Sequence, residues 1–180
     1  MNIYVKSMLL SMFIVTYMLS SGSALSKASM THNTYEDKRV YDVSTWKEYS
    51  NAKYKITFKY PSDWKVNKEF IEKYDGKDGF FQVASISNPV LSIDKIAEEE
   101  GHNIAQPYGS SPTINKLKIQ GQEARLILPS EDQSKELKGQ SALIIQYPKP
   151  IKTGSLTYNY FIMWADKVHI EEIGNTIKFY

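Results

Sequence analysis

Lys53-Tyr54-Lys55-Ile56-Thr57-Phe58-Lys59-Tyr60-Pro61-Ser62-Asp63-Trp64 is the stretch whose reading decides the fold. Up to Tyr60 it alternates with period two, so Tyr54, Ile56, Phe58 and Tyr60 share one face of a strand, and Lys53, Lys55, Thr57 and Lys59 share the other. A strand that is dry on one side and wet on the other belongs to an antiparallel sheet. Pro61 has no N–H for a ladder, and Pro61-Ser62-Asp63 turns the chain into a short second strand, Trp64-Lys65-Val66.

Outward from this corner, Trp46 to Tyr49 followed by Ser50-Asn51 predicts a hairpin partner ahead of the strand. Phe70, Ile71 and Tyr74, at one-turn spacing, predict a short helix ended by Asp75-Gly76. Phe80 to Ile86 reads as a strand between Asp78-Gly79 and Asn88-Pro89. Ser92 is an N-cap with Leu91 and Ile96 placed as a hydrophobic staple, and Gly101 stops the resulting helix, 93–100. Residues 102–112 read as a loop. Ile114 to Ile119 and Glu123 to Leu128 flank Gln120-Gly121-Gln122 as a hairpin, and 130–139 is polar loop. Ala142 to Tyr147 and Leu156 to Trp164 are nearly continuously apolar, which predicts central strands covered on both faces. Asp166 caps a last helix whose inward face is Ile170, Ile173 and Ile177. The sum is an α+β domain: a single, largely antiparallel sheet of six or more strands with helices packed on both faces.

The corner Tyr60-Pro61-Ser62-Asp63-Trp64, entered through alternating aromatics, resembles the opening of the Mog1/PsbP-like fold. The order of elements carries the same resemblance: a hairpin, the Tyr-Pro-x-x-Trp corner, a strand, a helix, a hairpin, two long strands and a last helix ending in Ile177-Lys178-Phe179, covering about Trp46 to Tyr180. It is similar to PsbP-related domains of Gram-positive secreted and membrane proteins. The resemblance implies an α-β-α sandwich and a non-enzymatic adaptor that binds another protein or assembly. Fold alone does not assign function, and no partner-contacting residue of that family carries over here.

Ahead of the domain, Lys6 precedes the apolar run Met8 to Leu19, followed by the small residues Ser20 to Ala24. This order of charge, hydrophobic run and small residues is that of a secretory signal, with cleavage after Ala24 or Ala28. The expected organisation is a signal peptide over 1–24, a polar flexible spacer over 25–43 and the folded domain over 44–180, placing the protein outside the cytoplasm. An uncleaved membrane anchor is the alternative, although the run is short for a span of about 20 residues.

The chain of 180 residues has 22 Lys and Arg against 20 Asp and Glu, a net charge of +2, and no cysteine. Disulfides, thiolate zinc sites, a cysteine nucleophile and a lipidated cysteine are excluded. The near-neutral charge argues against nucleic acid as the main partner.

Few motifs carry chemistry. Asp166, His169 and Glu172 fall near one helix face and could ligate a hard metal, but capping by Asp166 and solvent-facing His169 and Glu172 explain them more simply. Glu98-Glu99-Glu100-Gly101-His102 reads as a solvated helix end. Asp75-Gly76-Lys77-Asp78-Gly79 evokes a calcium loop, but its spacing is wrong and Lys77 intervenes, so it reads as a tight turn using glycine at positive φ. Ser110 lacks the glycines of a nucleophile elbow. No catalytic, metal or cofactor residue is assigned.

The surface feature that stands out is lysine. Lys53, Lys55 and Lys59 alternate on one strand and Lys116 and Lys118 on another, so adjacent strands would make one cationic face able to attract anionic cell-wall polymer or lipid headgroups. Lysines also blunt exposed sheet edges, which is their commoner use. Tyr108, in a Pro- and Gly-flanked loop, is the aromatic expected to face a ligand. The functional expectation is therefore a secreted, monomeric, non-catalytic binding module that needs no cofactor. It would contact a protein or an anionic cell-envelope component, at the peripheral membrane or the cell wall. Two other readings stand beside it: a metal-dependent or hydrolytic enzyme with a site assembled from separated segments, and a carrier of a small apolar ligand between sheet and helix.

Overall fold

The computed structural model describes residues 41–180; the leader expected over 1–24 and nearly all of the expected spacer lie outside the described residues. A compact unit spans Asp42–Tyr180. It begins with a short 3-10 turn, Val43–Thr45, whose first turn is capped by the Asp42 carboxylate accepting the Ser44 N–H.

The strands form two sheets, where one was expected. The smaller contains β1 (Lys47–Asn51), β2 (Ile56–Tyr60) and β10 (Lys178–Phe179), in the order β1-β2-β10. The larger has seven strands, β3 (Lys65–Val66), β4 (Lys73–Asp75), β5 (Phe80–Ile86), β6 (Thr113–Ile119), β7 (Gln122–Leu128), β8 (Gln140–Thr153) and β9 (Leu156–Asp166), in the order β3-β4-β5-β9-β8-β7-β6. All pairings are antiparallel. The division falls at the Tyr60-Pro61 corner. There the ladder loses its donor, the Trp64 N–H donates back to the Pro61 carbonyl at 3.2 Å, and the chain leaves one sheet for the other.

The dry face of β2 explains why the sheets pack. Tyr49 of β1 stacks on Phe58 of β2 with centroids 4.7 Å apart, and Phe58 meets Phe81 of β5 edge to face at 5.0 Å. Phe81 in turn stacks on Tyr74 of β4 at 4.7 Å. Trp64 closes this aromatic core, 1% exposed, its Nε1–H donating to Asp78 at 2.9 Å.

The first helix, α1 (Ile93–Gly101), starts at Ser92, whose hydroxyl accepts the Lys95 N–H. Ile93, Ile96 and Ala97 cluster with Tyr108, Ile127, Ala142, Ile144, Tyr160 and Ile162. Gly101 is the helix's last buried residue, lying against Ile114 and Ile127, and His102 forms the C-cap. In α2 (Ile170–Asn175), Ile170 and Ile173, with Ile177 just beyond, are fully buried as their spacing predicts, and Gly174 lies directly against Leu143.

Three local expectations fail for identifiable reasons. Residues 70–74 form no helix: the Asn67 side chain accepts the N–H groups of Glu69 and Phe70, Glu72 adopts φ +54°, and the chain enters β4. Strand β2 begins at Ile56, because Asn51 Oδ1 accepts the N–H groups of Lys53 and Tyr54, and Lys55 takes φ +52° in a turn. The β6–β7 loop has two residues, Gln120 (φ 50°) and Gly121 (φ 75°), the left-handed pair that a type I′ hairpin needs.

Candidate functional site

The lysines expected to share one face separate into two groups. Lys116 and Lys118 lie on β6, at the edge of the larger sheet, and each has a carboxylate: Lys116 with Asp94 at 3.2 Å and Lys118 with Glu123 at 3.3 Å. Buried Arg125 joins both, its Nε 2.7 Å from Asp94 and Nη1 3.3 Å from Glu123. Arg125 and then Lys116 hold the Asp94 carboxyl down at about 2. This network ties α1 to β6 and β7, and its positive charge is largely spoken for.

Lys59 lies on β2 of the smaller sheet, and Lys53 and Lys55 lie in the turn that leads into it. Half-buried Lys59 is anchored on both sides, its N–H donating to Thr176 Oγ1 at 2.8 Å and its ammonium to the Val43 carbonyl at 3.3 Å. Lys53 and Lys55 are exposed in the β1–β2 turn, with ammonium groups 5.3 Å from the Tyr54 ring and 5.7 Å from the Tyr180 ring.

The β8–β9 hairpin meets that turn. Strand β7 pairs with β8 only as far as Ala124↔Ile145 and β5 with β9 only as far as Ile86↔Tyr160, while β8 and β9 stay paired out to Thr153↔Leu156. Beyond its neighbours the hairpin is a two-stranded arm closed by Gly154-Ser155, with Gly154 at φ 60°. At its base the register shifts between Gln146 and Ile151, across Tyr147-Pro148-Lys149-Pro150, where two prolines withhold their N–H groups. Tyr147 fastens this base: its hydroxyl is 2.7 Å from Ser85 Oγ and its ring 5.4 Å from Phe179 of β10. Burial pushes the Tyr147 hydroxyl pKa up, the Ser85 hydrogen bond offsets part of this, and neighbouring Tyr54 and Tyr158 add smaller upward pushes.

The arm therefore adds Lys149 and Lys152, and β10 adds Lys178, to the end of the molecule that holds Lys53 and Lys55; all five are exposed. Among the described residues none of the five forms an ion pair. Glu72, a carboxylate at the start of this turn, accepts the Tyr49 hydroxyl at 2.5 Å and Asn51 Nδ2 at 2.9 Å. The sequence reading missed Lys149, Lys152 and Lys178. The available signal was the run Lys149-Pro150-Ile151-Lys152 just ahead of Gly154-Ser155.

Tyr108 faces no solvent. It is fully buried, its hydroxyl donating to Glu100 at 2.6 Å, and the same Glu100 oxygen accepts Trp164 Nε1–H at 2.8 Å. Burial, then the Glu100 charge, raises its pKa well above the usual tyrosine value. Its loop is folded inward because Asp132 accepts the Ser110 N–H and Ser130 Oγ while Gly109 holds φ +82° against them.

His169, expected at the solvent, is 1% exposed, with Nδ1 donating to Asp166 at 2.7 Å and the Trp64 ring edge-on at 5.0 Å. Asp166 caps as expected, but on the turn before the helix, accepting the N–H groups of Val168 and His169. Among the described residues no group of three or more His, Cys, Asp or Glu could hold a metal ion. Gly76 and Gly79 serve close approach and not positive φ: a Cβ on Gly76 would lie 2.0 Å from Trp64, and one on Gly79 2.0 Å from Asp166.

Between β6–β8 and α2 runs a groove of about 200 Å³, with Leu117, Ile119, Leu126, Leu143 and Ile170 among its walls. It is smaller than the ~300–1,000 Å³ of small-molecule sites.

No protein-family model and no curated protein matches the chain. Among solved structures, it is similar to the solution structure of cyanobacterial PsbP (CyanoP) from Synechocystis sp. PCC 6803, with 10% identity and a TM-score of 0.45 over 77% of this chain and 94% of that one.

Proposed function

We propose that the chain is an exported, non-catalytic binding module that docks on an anionic component of the cell envelope through its arm end. In this reading the larger sheet carries a helix on each face as scaffold, and the exposed lysines of the β1–β2 turn, β8–β9 arm and β10 form the contact. The observation that supports it most is the gathering of Lys53, Lys55, Lys149, Lys152 and Lys178 at one end with no ion pair among the described residues, on a chain of net charge +2. A local surplus on a near-neutral molecule attracts anions to one site and not to the whole surface. Among the described residues no helix is long and apolar enough to cross a membrane, so contact through this domain would be peripheral.

Sedimentation with envelope fragments of the producing cell tests the reading. Combined Lys53→Glu, Lys55→Glu, Lys149→Glu and Lys152→Glu should reduce binding at least tenfold, and raised salt should weaken it. Lys116→Gln with Lys118→Gln should leave it within about twofold, since those lysines are already paired. Equal loss from both sets would overturn the assignment to the arm end.

A further inference from the structure

We infer, building on that docking reading, that the anionic partner is a phospholipid bilayer surface, and that the tip of the β8–β9 arm enters its headgroup layer. Charge alone does not separate a bilayer from a soluble polyanion, but the apolar groups beside the charge do. Leu156, in the last pair of the arm, is 45% exposed, and Tyr180, beside Lys55, is 61% exposed. A soluble polyphosphate offers nothing to bury them. A bilayer interface rewards an apolar or aromatic group and the lysines around it together.

The arm's construction fits this placement. Its cross-strand pairs put Ile151, Thr153, Leu156 and Tyr158 on one face and Lys152 with Thr157 on the other. Ile151 and Tyr158 turn inward, Tyr158 toward Tyr147, which leaves Leu156 as the apolar residue furthest out. Pairing up to Thr153↔Leu156 satisfies the backbone between the strands almost to the turn. The outer edges of the arm are unpaired once β5 and β7 have ended, so the arm would stop among headgroups and not reach the hydrocarbon, where open edges are not tolerated.

The test is flotation of the full chain with vesicles of phosphatidylcholine alone, or with about one-third phosphatidylglycerol, scored as the difference between the two. Each variant is compared with unaltered protein, so any contribution of residues 1–40 cancels. The expected result is preference for the anionic vesicles, at least tenfold weaker in Lys149→Glu/Lys152→Glu and several-fold weaker in Leu156→Ser, with thermal midpoints unchanged. Leu156→Trp should show a blue-shifted emission component with anionic vesicles only. Lysine-dependent binding to poly(glycerol phosphate) without preference for anionic vesicles would overturn the bilayer and leave the docking reading standing. Binding to neither probe, with envelope fragments still captured through the arm lysines, would also overturn it. Loss of that capture as well would end both.

Discussion

Arg125 Nε lies 2.7 Å from Asp94 Oδ1, so a guanidinium whose side chain is only 5% exposed joins the first turn of α1 to the second strand from the sheet edge. The Asp94 carboxyl is held at about 2, and that of Asp132 is held there too by the Ser110 and Ser130 donors. Both lie below the unfolded value near 3.9, so each stabilises the fold above that value and the gain disappears as pH falls through about 2. Urea midpoints should decline between about pH 4 and pH 2. Asp94→Asn should be less stable at pH 7 and decline less steeply in that window; an unchanged slope would exclude Asp94 as a contributor.

Phe81 is the hub of the inter-sheet core, within 5.4 Å of the Tyr49, Phe58, Tyr60 and Tyr74 rings. Phe81→Ala should cost about 3–5 kcal/mol in chemical denaturation, the range for removing a fully buried aromatic. A loss near 1 kcal/mol would mean that the two sheets pack far more loosely than their ring contacts indicate.

Two glycine-to-alanine changes should fail differently. Gly76→Ala drives a methyl into Trp64, so it should destabilise by about 1–3 kcal/mol and red-shift the emission of this buried indole. Gly121→Ala meets nothing within 4 Å and suffers only from φ +75°, costing about 1 kcal/mol with emission unchanged.

Tyr108→Phe removes one hydroxyl from Glu100 and leaves Trp164 bonded to it. Stability should fall by about 1 kcal/mol by thermal melting. Envelope binding should stay at the unaltered level; a selective loss of binding would restore Tyr108 as a contact residue.

Most strands and both helices were legible because their signals are local. The alternation ending at Tyr60, the Ser92 cap and the Ile170, Ile173 and Ile177 stripe each depend on residues a few positions apart. What was not legible depends on partners far along the chain. The split into two sheets follows from β2 pairing with β10, and the burial of His169 follows from Trp64 arriving across the corner. Lys53 and Lys55 read as strand because alternation continues through them, while the Asn51 side-chain oxygen that curls them into a turn has no periodicity to announce it. The arm lysines were hidden for a related reason: only the unequal lengths of neighbouring ladders reveal which part of a hairpin projects.

The Lys59 N–H donates to Thr176 across 117 positions, and β10 completes the smaller sheet beside β2. That sheet can close only after nearly the whole domain has emerged from the ribosome, because its inner strand waits for its latest neighbour. Such late closure slows folding and leaves one edge of β2 unpaired meanwhile, which, for a chain exported as proposed above, would prolong the interval in which it can still be threaded through a translocation pore.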